Sequence, residues 1–390
     1  MKPLASAASG LPAHGVREIM DAAWKRPDAI HLEVGEPNFA TPAAVSEAAI
    51  AAIQDGFTHY TSNAGIPSLR AAIAASMQRR SGVPCTAEQV VVTPGAVAAV
   101  ATSLIALADP GDEVLVPDPS WPNYVQWLLL QHSVPVPYPL RQERAFVPDV
   151  ADLEAATTDR TKVLILNSPG NPTGALFPRE AMAELLAFAR RRDLWVVSDE
   201  IYERIVFDGE HAFAAAADTD GRVVTVSGVS KTYAMTGWRL GYAIAPVAVA
   251  RVMASLQEPM QSCVNAMTQK AAEAALTGEA AEGDVERMVA AYRRRRNAAV
   301  EIVRQAGRYR YTPRGAFYIL VDVRDTGMSS RELALALLDA EGVAVAPGSA
   351  FGAGGEGFVR VSLATDDGPL TEGLQRLCRF CARAAAGRSA

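Results

Sequence analysis

Cysteine is scarce in this chain. There are four in 390 residues, Cys85, Cys263, Cys378 and Cys381, with no zinc-ribbon arrangement among them. So few thiols argue against a disulfide-built scaffold and for a reducing compartment, the cytoplasm. Cys378 and Cys381 do form a CxxC, in "LQRLCRFCARAAA". On a helix that spacing puts both on one face, where core packing is the commoner fate than metal or redox use. A basic surplus is also missing. The formal net charge is −6, so no global field draws in nucleic acid or an anionic membrane. Any phosphate bound here must be held by local groups. No apolar run is long enough to span a bilayer, and the opening "MKPLASAASGLPAHG" lacks the apolar stretch of a signal peptide. There is neither an internal repeat nor a low-complexity linker. What the chain does have, at 49% apolar and 21% charged, is enough material for a sizeable globular core.

From about residue 90, strand-like runs alternate with helix-like ones. The strands read as "QVVVT" (89–93), "EVLVP" (113–117), "TKVLILN" (161–167), "LWVVSDE" (194–200), "RVVTVS" (222–227) and "RLGYAIA" (239–245). They are near-continuously apolar, as expected when helices cover both faces of a mainly parallel sheet. The order strand, helix, strand predicts an α/β large domain. Beyond it, a long helix over 281–306, the strands "GAFYILVDV" and "FVRVSLA" and two further helices predict a smaller α+β domain. The expected division is 46–280 for the large domain and 281–390 for the small one. The loop-rich segment 1–45 packs with the latter. The run "RRRR" (293–296) inside the long helix reads as a solvated face.

One stretch carries the chemistry: "SGVSKTYAMTGWRLGY", residues 227–242. Lys231 follows an apolar strand, where partial desolvation lowers an ammonium pKa and frees the amine as a nucleophile toward a carbonyl. Arg239, one short loop on, is planar and permanently charged, suited to a phosphate dianion. An aldehyde and a phosphate in one molecule describe pyridoxal phosphate. A snorkelling lysine and a surface arginine would leave the same letters, and the stretch alone does not choose between the two readings.

The stretch resembles the pyridoxal-phosphate attachment site of the class I/II (fold-type I) aminotransferases, from the small residue Gly228 through Lys231 and Arg239 to Gly241. Other motifs continue the resemblance over nearly the whole chain, in the family's order. It implies the fold-type I architecture, a mainly parallel seven-stranded sheet with a smaller α+β domain. In "WVVSDEIYERIVFDG" it makes Asp199 the carboxylate facing the pyridine nitrogen, and Tyr202 a donor to the phenolic oxygen. In "NSPGNPTG" (167–174), Asn171 donates to the same oxygen. In "TPGAVAAV" (93–100), Gly95, Ala96 and Val97 form the phosphate loop at a helix start, with Ser230 and Arg239 completing the cup. Many relatives carry a serine where this chain has Gly228, which leaves Ser227 or Ser230 to replace that hydroxyl. Trp121 in "PDPSWPNY" stacks on the ring, and Tyr60 in "THYTSNAG" crosses to the phosphate of a partner subunit in a homodimer. Gly35 in "EVGEPNFATP" allows close backbone approach to substrate. Arg360 in "FVRVSLA", partly buried in a strand, pairs with the substrate α-carboxylate. Substrate is thus read as touching Gly35, Trp121, Asn171 and Arg360. The segment "GVAVAPGSAFG" (342–352) fits the family's mobile element near the site.

The implied function is transamination between an amino acid and a 2-oxo acid, ping-pong, through a Schiff base on Lys231, with no metal. Another reaction on the same scaffold (elimination, replacement, cyclisation or oxidation) shares every motif above. A DNA-binding regulator built on such a domain is disfavoured, because the roughly 30 residues before "LEVGEP" are neither basic nor long enough for a helix-turn-helix module. Some aspartate-specific relatives place a lysine at the position of Val97. Its absence here tilts the expected donor toward apolar, aromatic or unusual amino acids.

Overall fold

The computed structural model describes residues 2–12 and 15–387; the last three positions of the expected small domain lie outside the described residues. Seven strands form the principal sheet: β1 (Val90–Thr93), β2 (Glu113–Asp118), β3 (Val134–Pro139), β4 (Thr161–Asn167), β5 (Trp195–Asp199), β6 (Val223–Gly228) and β7 (Gly241–Ile244). Their order is β1-β7-β6-β5-β4-β2-β3. All run parallel except β7, which is antiparallel to both β1 and β6. Val163, Leu164, Ile165, Val196, Val197, Val224 and Val226 are fully buried, as a parallel sheet covered on both faces requires. This is the expected α/β architecture.

Strand β3 has no strand signature, because "VPVPYP" sets a proline at every second position. A proline cannot donate to a ladder, so it is confined to edges. β3 is the edge strand. Val134 and Leu140, of the opposite parity, donate to the carbonyls of Asp112 and Asp118 at 2.8 Å each, while Pro135, Pro137 and Pro139 turn their donorless nitrogens outward. The same alternation keeps another chain from pairing there.

A second, antiparallel sheet has the order β9-β10-β8, from β8 (Tyr318–Asp322), β9 (Ala346–Pro347) and β10 (Phe358–Ser362). Helices Glu279–Gln305, Ser330–Glu341 and Asp367–Ala386 share its core. So do Ile19 and Ala23 of the helix Gly15–Ala23, a regular element within the segment read as loop-rich. Cys378 and Cys381 are buried, free and core-facing. Directly after β5, Ile201, Tyr202, Ile205 and Phe207 also enter this second core, which clamps the end of β5 between the two sheets. Among the described residues no helix is long and apolar enough to cross a membrane.

The tetra-arginine run departs from its reading as a solvated face. Arg293 and Arg294 are exposed, but Arg295 and Arg296 are buried. Arg296 donates to Asp208 (2.6 Å) and lies over the Phe207 ring; Arg295 donates to Asp367 (2.7 Å) and Asn38 (2.9 Å). The acceptors are 72 to 257 residues away in sequence, so no local charge pattern could announce them.

Two glycines explain the end of the β6–β7 pair. Gly228 and Gly241 are register partners, and a Cβ on Gly228 would meet the Gly241 Cα at 2.9 Å. A Cβ on Gly241 would strike the backbone of Gly95 and Ala96, where the helix Ala96–Leu107 begins. Gly241→Ala is therefore expected to destabilise the fold by about 1–3 kcal/mol through overpacking. Gly237→Ala, which meets nothing within 4 Å, is expected to leave the urea midpoint within error.

Candidate active site

Parallel strands present their last residues along one edge of the sheet, outside which α/β proteins bind ligands. Here β4 ends at Asn167 and β5 at Asp199, which are register partners, and β6 ends at Gly228 before a loop carrying Ser230 and Lys231. Over this edge opens a cavity of about 300 Å³. It is lined by Gly35, Ala96, Val97, Trp121, Asn171, Asp199, Tyr202, Ser230, Lys231, Arg239 and Arg360. Two of the residues anticipated from sequence stand apart. Gly95 caps the helix behind the wall at φ +82°, with the Arg239 guanidinium where a side chain would project. Tyr60 is 89% exposed and does not line the cavity. Of the two candidate serines, Ser230 lines it, whereas Ser227 is buried within β6 and does not.

Asp199 is buried at the cavity floor. Tyr124 Oη donates to its Oδ2 (2.7 Å) and the Ile201 N–H to its Oδ1 (3.1 Å). Burial lifts its carboxyl to about 6 against those two donors, with the Glu200 carboxylate pushing the same way and Lys231 opposing. Lys231 donates to the Gly35 carbonyl, and its ammonium lies 5.8 Å from the Phe317 ring centroid. Desolvation pulls its amine down to about 8; Glu36 and Asp199 resist, while Arg360 and Arg239 push it further down. The half-buried side chain thus carries an amine that is partly free near neutral pH.

Arg360, in β10, enters from the second sheet. Its Nη1 donates to Asn171 Oδ1 (2.8 Å) and its Nη2 to the Glu33 carbonyl (2.6 Å), while its buried Nε lacks a partner. The guanidinium lies between the rings of Tyr318 (4.3 Å) and Phe351 (4.7 Å). Among the described residues no carboxylate pairs with it. A buried guanidinium without a counter-ion is costly unless a ligand supplies the anion.

Sequence reasoning passed over several groups that line the same cavity, including Tyr124, Asn167, Tyr318 and Phe351. Asn167 donates to the Asp199 carbonyl (3.0 Å) and accepts from the Asn171 N–H (2.9 Å), so it orients two site residues at once. Tyr318 shares a 2.7 Å hydroxyl contact with Tyr202. Tyr124 stands three residues after Trp121, and the two rings meet edge to face at 5.4 Å. That spacing at a helix start was the available signal. Tyr318 left none, since a tyrosine in a strand is ordinary.

A doubly covered parallel sheet with a lysine, a carboxylate and an anion cup at its carboxyl edge is the architecture of a fold-type I pyridoxal-phosphate enzyme. The family description "Aminotransferase class I and II" matches residues 27–377. The chain belongs to that family: it is a transaminase that uses pyridoxal phosphate. It is 40% identical to the aspartate/prephenate aminotransferase of Thermus thermophilus, over 98% of this chain and 97% of that one. It is 38% identical to aromatic-amino-acid aminotransferase 2 of Thermococcus litoralis, over 93% and 94%. The structure of the aspartate aminotransferase from Thermus thermophilus with maleate superposes with a TM-score of 0.94 at 38% identity, covering 97% of this chain and all of that one.

The residues fit the cofactor. The cavity offers a buried carboxylate for a cationic ring nitrogen and an amine with a depressed pKa for an aldehyde. Beside them a helix N-terminus and a guanidinium meet, packed so closely that only Gly95 fits between them.

A desolvated amine leaves a thermodynamic trace in the cofactor-free protein. Below about pH 8 Lys231 is charged in both folded and unfolded chains, and the folded state carries the burial penalty. Between 8 and 10.5 the folded chain has lost this proton and the unfolded chain has not, so stability rises with pH. Lys231→Met is expected to raise unfolding stability at pH 7 by roughly 1–3 kcal/mol, with the difference from wild type shrinking toward pH 10. Chemical denaturation of both proteins at several pH values measures it, and a variant less stable than wild type at pH 7 contradicts the assignment.

Proposed function

We propose that Lys231, Asp199 and Arg360 carry the transamination, with the remaining cavity residues holding cofactor and substrate between them. The observation behind this reading is that an amine, a carboxylate and a guanidinium meet in one cavity of about 300 Å³ while Arg360 keeps a donor unpartnered. Bound pyridoxal phosphate supplies an aldehyde carbon for an amine and a ring that draws electrons from the substrate Cα. Lys231 Nζ is the amine that would hold the cofactor through that carbon. Freed by the donor's amino group, the Lys231 amine would take the Cα proton as general base and deliver it as general acid to the former aldehyde carbon, with the reverse transfer in the second half of a ping-pong cycle. Asp199, held by Tyr124 and the Ile201 N–H, faces the ring nitrogen. Arg239, Ser230 and the backbone at Gly95, Ala96 and Val97 take the phosphate. Asn171 Oδ1 is occupied by Arg360, which leaves Nδ2 for the phenolic oxygen. Tyr202 joins it, and Trp121 stacks on the ring. Arg360 receives the α-carboxylate close to the Gly35 backbone.

The same proposal includes a homodimer in which Tyr60 completes the partner's phosphate site. Its 89% exposure, shortly after the exposed apolar side chains of Ile50, Ile53 and Phe57 in the chain, supports a covering partner. It also includes the division into domains 46–280 and 281–390 with 1–45 packed on the latter, and a cytoplasmic location.

For the donor side chain, charge decides. The cations lining the cavity among the described residues are Lys231, Arg239 and Arg360, all engaged in the scheme above. A distal carboxylate would find Val16, Val97, Trp121 and Phe351 instead. We therefore expect apolar and aromatic donors to exceed aspartate by about tenfold or more in kcat/KM, and Val97→Lys to narrow that gap. Half-reactions followed by the cofactor's absorbance change across a donor panel test this, and a preference for aspartate refutes it.

Lys231→Ala is expected to lower turnover by about 10³-fold or more. Near-normal rates in that variant would remove Lys231 from the mechanism. Arg360→Gln is expected to raise KM for both substrates and to lower kcat/KM by about 10²-fold or more, through loss of a buried charge pair.

A further inference from the structure

The chemistry above makes no use of Arg295, although burying a guanidinium demands a reason. Arg295 does not line the cavity. Its Nη1 donates to Asn38 Oδ1 (2.9 Å) and to the Leu363 carbonyl (3.3 Å), its Nε to Asp367 Oδ1 (2.7 Å), and its Nη2 lies 3.5 Å from Asp366. Asn38 returns its own amide to Asp366 (2.7 Å). The guanidinium lies over the rings of Phe39 (5.3 Å) and Tyr292 (5.8 Å). Through Asn38, with Phe39 beside it, this cluster secures one end of the segment 32–38. The other end is secured where the Ser362 N–H donates to the Leu32 carbonyl (2.7 Å).

Between these anchors the segment delivers two main-chain carbonyls to the active site. Glu33 accepts from Arg360 Nη2 (2.6 Å), and Gly35 accepts from Lys231 Nζ. The Glu36 carboxylate takes the hydroxyl of Thr236, in the loop between Lys231 and Arg239. Substrate-binding guanidinium and cofactor-binding amine thus hang on one short strap, and the strap hangs on the helices Glu279–Gln305 and Asp367–Ala386.

We infer that Arg295 is a positioning residue: by locking Asn38 against the start of the Asp367–Ala386 helix, it sets the strap whose carbonyls place Arg360 and Lys231. The planar fork is what suits the task. It meets Asn38, Leu363 and Asp367 at once while its faces lie against two rings, and a lysine has no such geometry. Arg295→Lys keeps the charge opposite Asp366 and Asp367 but gives up the fork. Asn38→Ala keeps Arg295 and cuts the link to the strap.

The test uses the cofactor-free protein. The chain has five lysines, so acetylation by trace acetic anhydride is readily assigned by peptide mass spectrometry, with exposed Lys162 as internal reference. Losing the Gly35 acceptor removes a stabiliser of the ammonium, so Lys231 should react about threefold faster or more at pH 7.5 in both variants. In the loaded enzyme both should raise KM for the amino donor about fivefold while kcat stays within about twofold. A structural role alone would lower the melting temperature and leave the Lys231:Lys162 ratio unchanged. That ratio, unchanged in Asn38→Ala, overturns the inference even if Arg295→Lys fails to fold. The KM arm rests on the proposed roles of Lys231 and Arg360. The acetylation arm does not, so its failure leaves those roles standing.

Discussion

Desolvation of charge is the constraint on which the rest of the site depends. Asp199 ends one strand and Lys231 follows the end of its neighbour in a sheet whose two faces are covered, so both are withdrawn from bulk water, Asp199 fully and Lys231 in part. The same burial moves their pKa values in opposite directions, the carboxyl up to about 6 and the amine down to about 8. Each then waits for a ligand group that restores what water would have supplied. Arg360 repeats the pattern from the second sheet, buried between two rings with a free Nε. In the proposed scheme the cofactor and the substrate carboxylate are the groups that meet these three buried charges.

Such charges need neighbours that cannot drift. Asp199 is gripped by Tyr124, the Ile201 N–H and Asn167, and the chain beyond it runs straight into the second core. Gly228 and Gly241 let β6 and β7 close up beneath the helix Ala96–Leu107, which brings its N-terminus to Arg239. Lys231 and Arg360 lean on a strap anchored in the part of the molecule that carries Arg295. The site is therefore shared between both sheets. A shift of one against the other would alter the support of both cations together.

Much of this was legible in the linear chain, for physical reasons. Continuous apolar runs mark strands covered on both faces, and a charged residue just past such a run stands at the carboxyl edge, where Lys231 and Asp199 are found. Strand β3 was not legible, because its prolines erase the ladder signal everywhere except at an edge, and only the assembled sheet has an edge. Arg295 and Arg296 read as surface because the carboxylates that pair with them lie far along the chain. Tyr318 and Asn167 are common residues in common strands until the fold aims them.

By itself, then, the sequence determined the α/β order and set Lys231 and Asp199 just past apolar runs, since these follow from local patterns, while the resemblance of its motifs supplied the roles proposed for them and for Arg360. Tertiary structure alone decided which arginines are buried, which hydroxyl (Ser230 rather than Ser227) reaches the cavity, and which carbonyls receive Lys231 and Arg360. Those outcomes depend on where distant backbones meet in space, a distance that no local pattern of residues encodes.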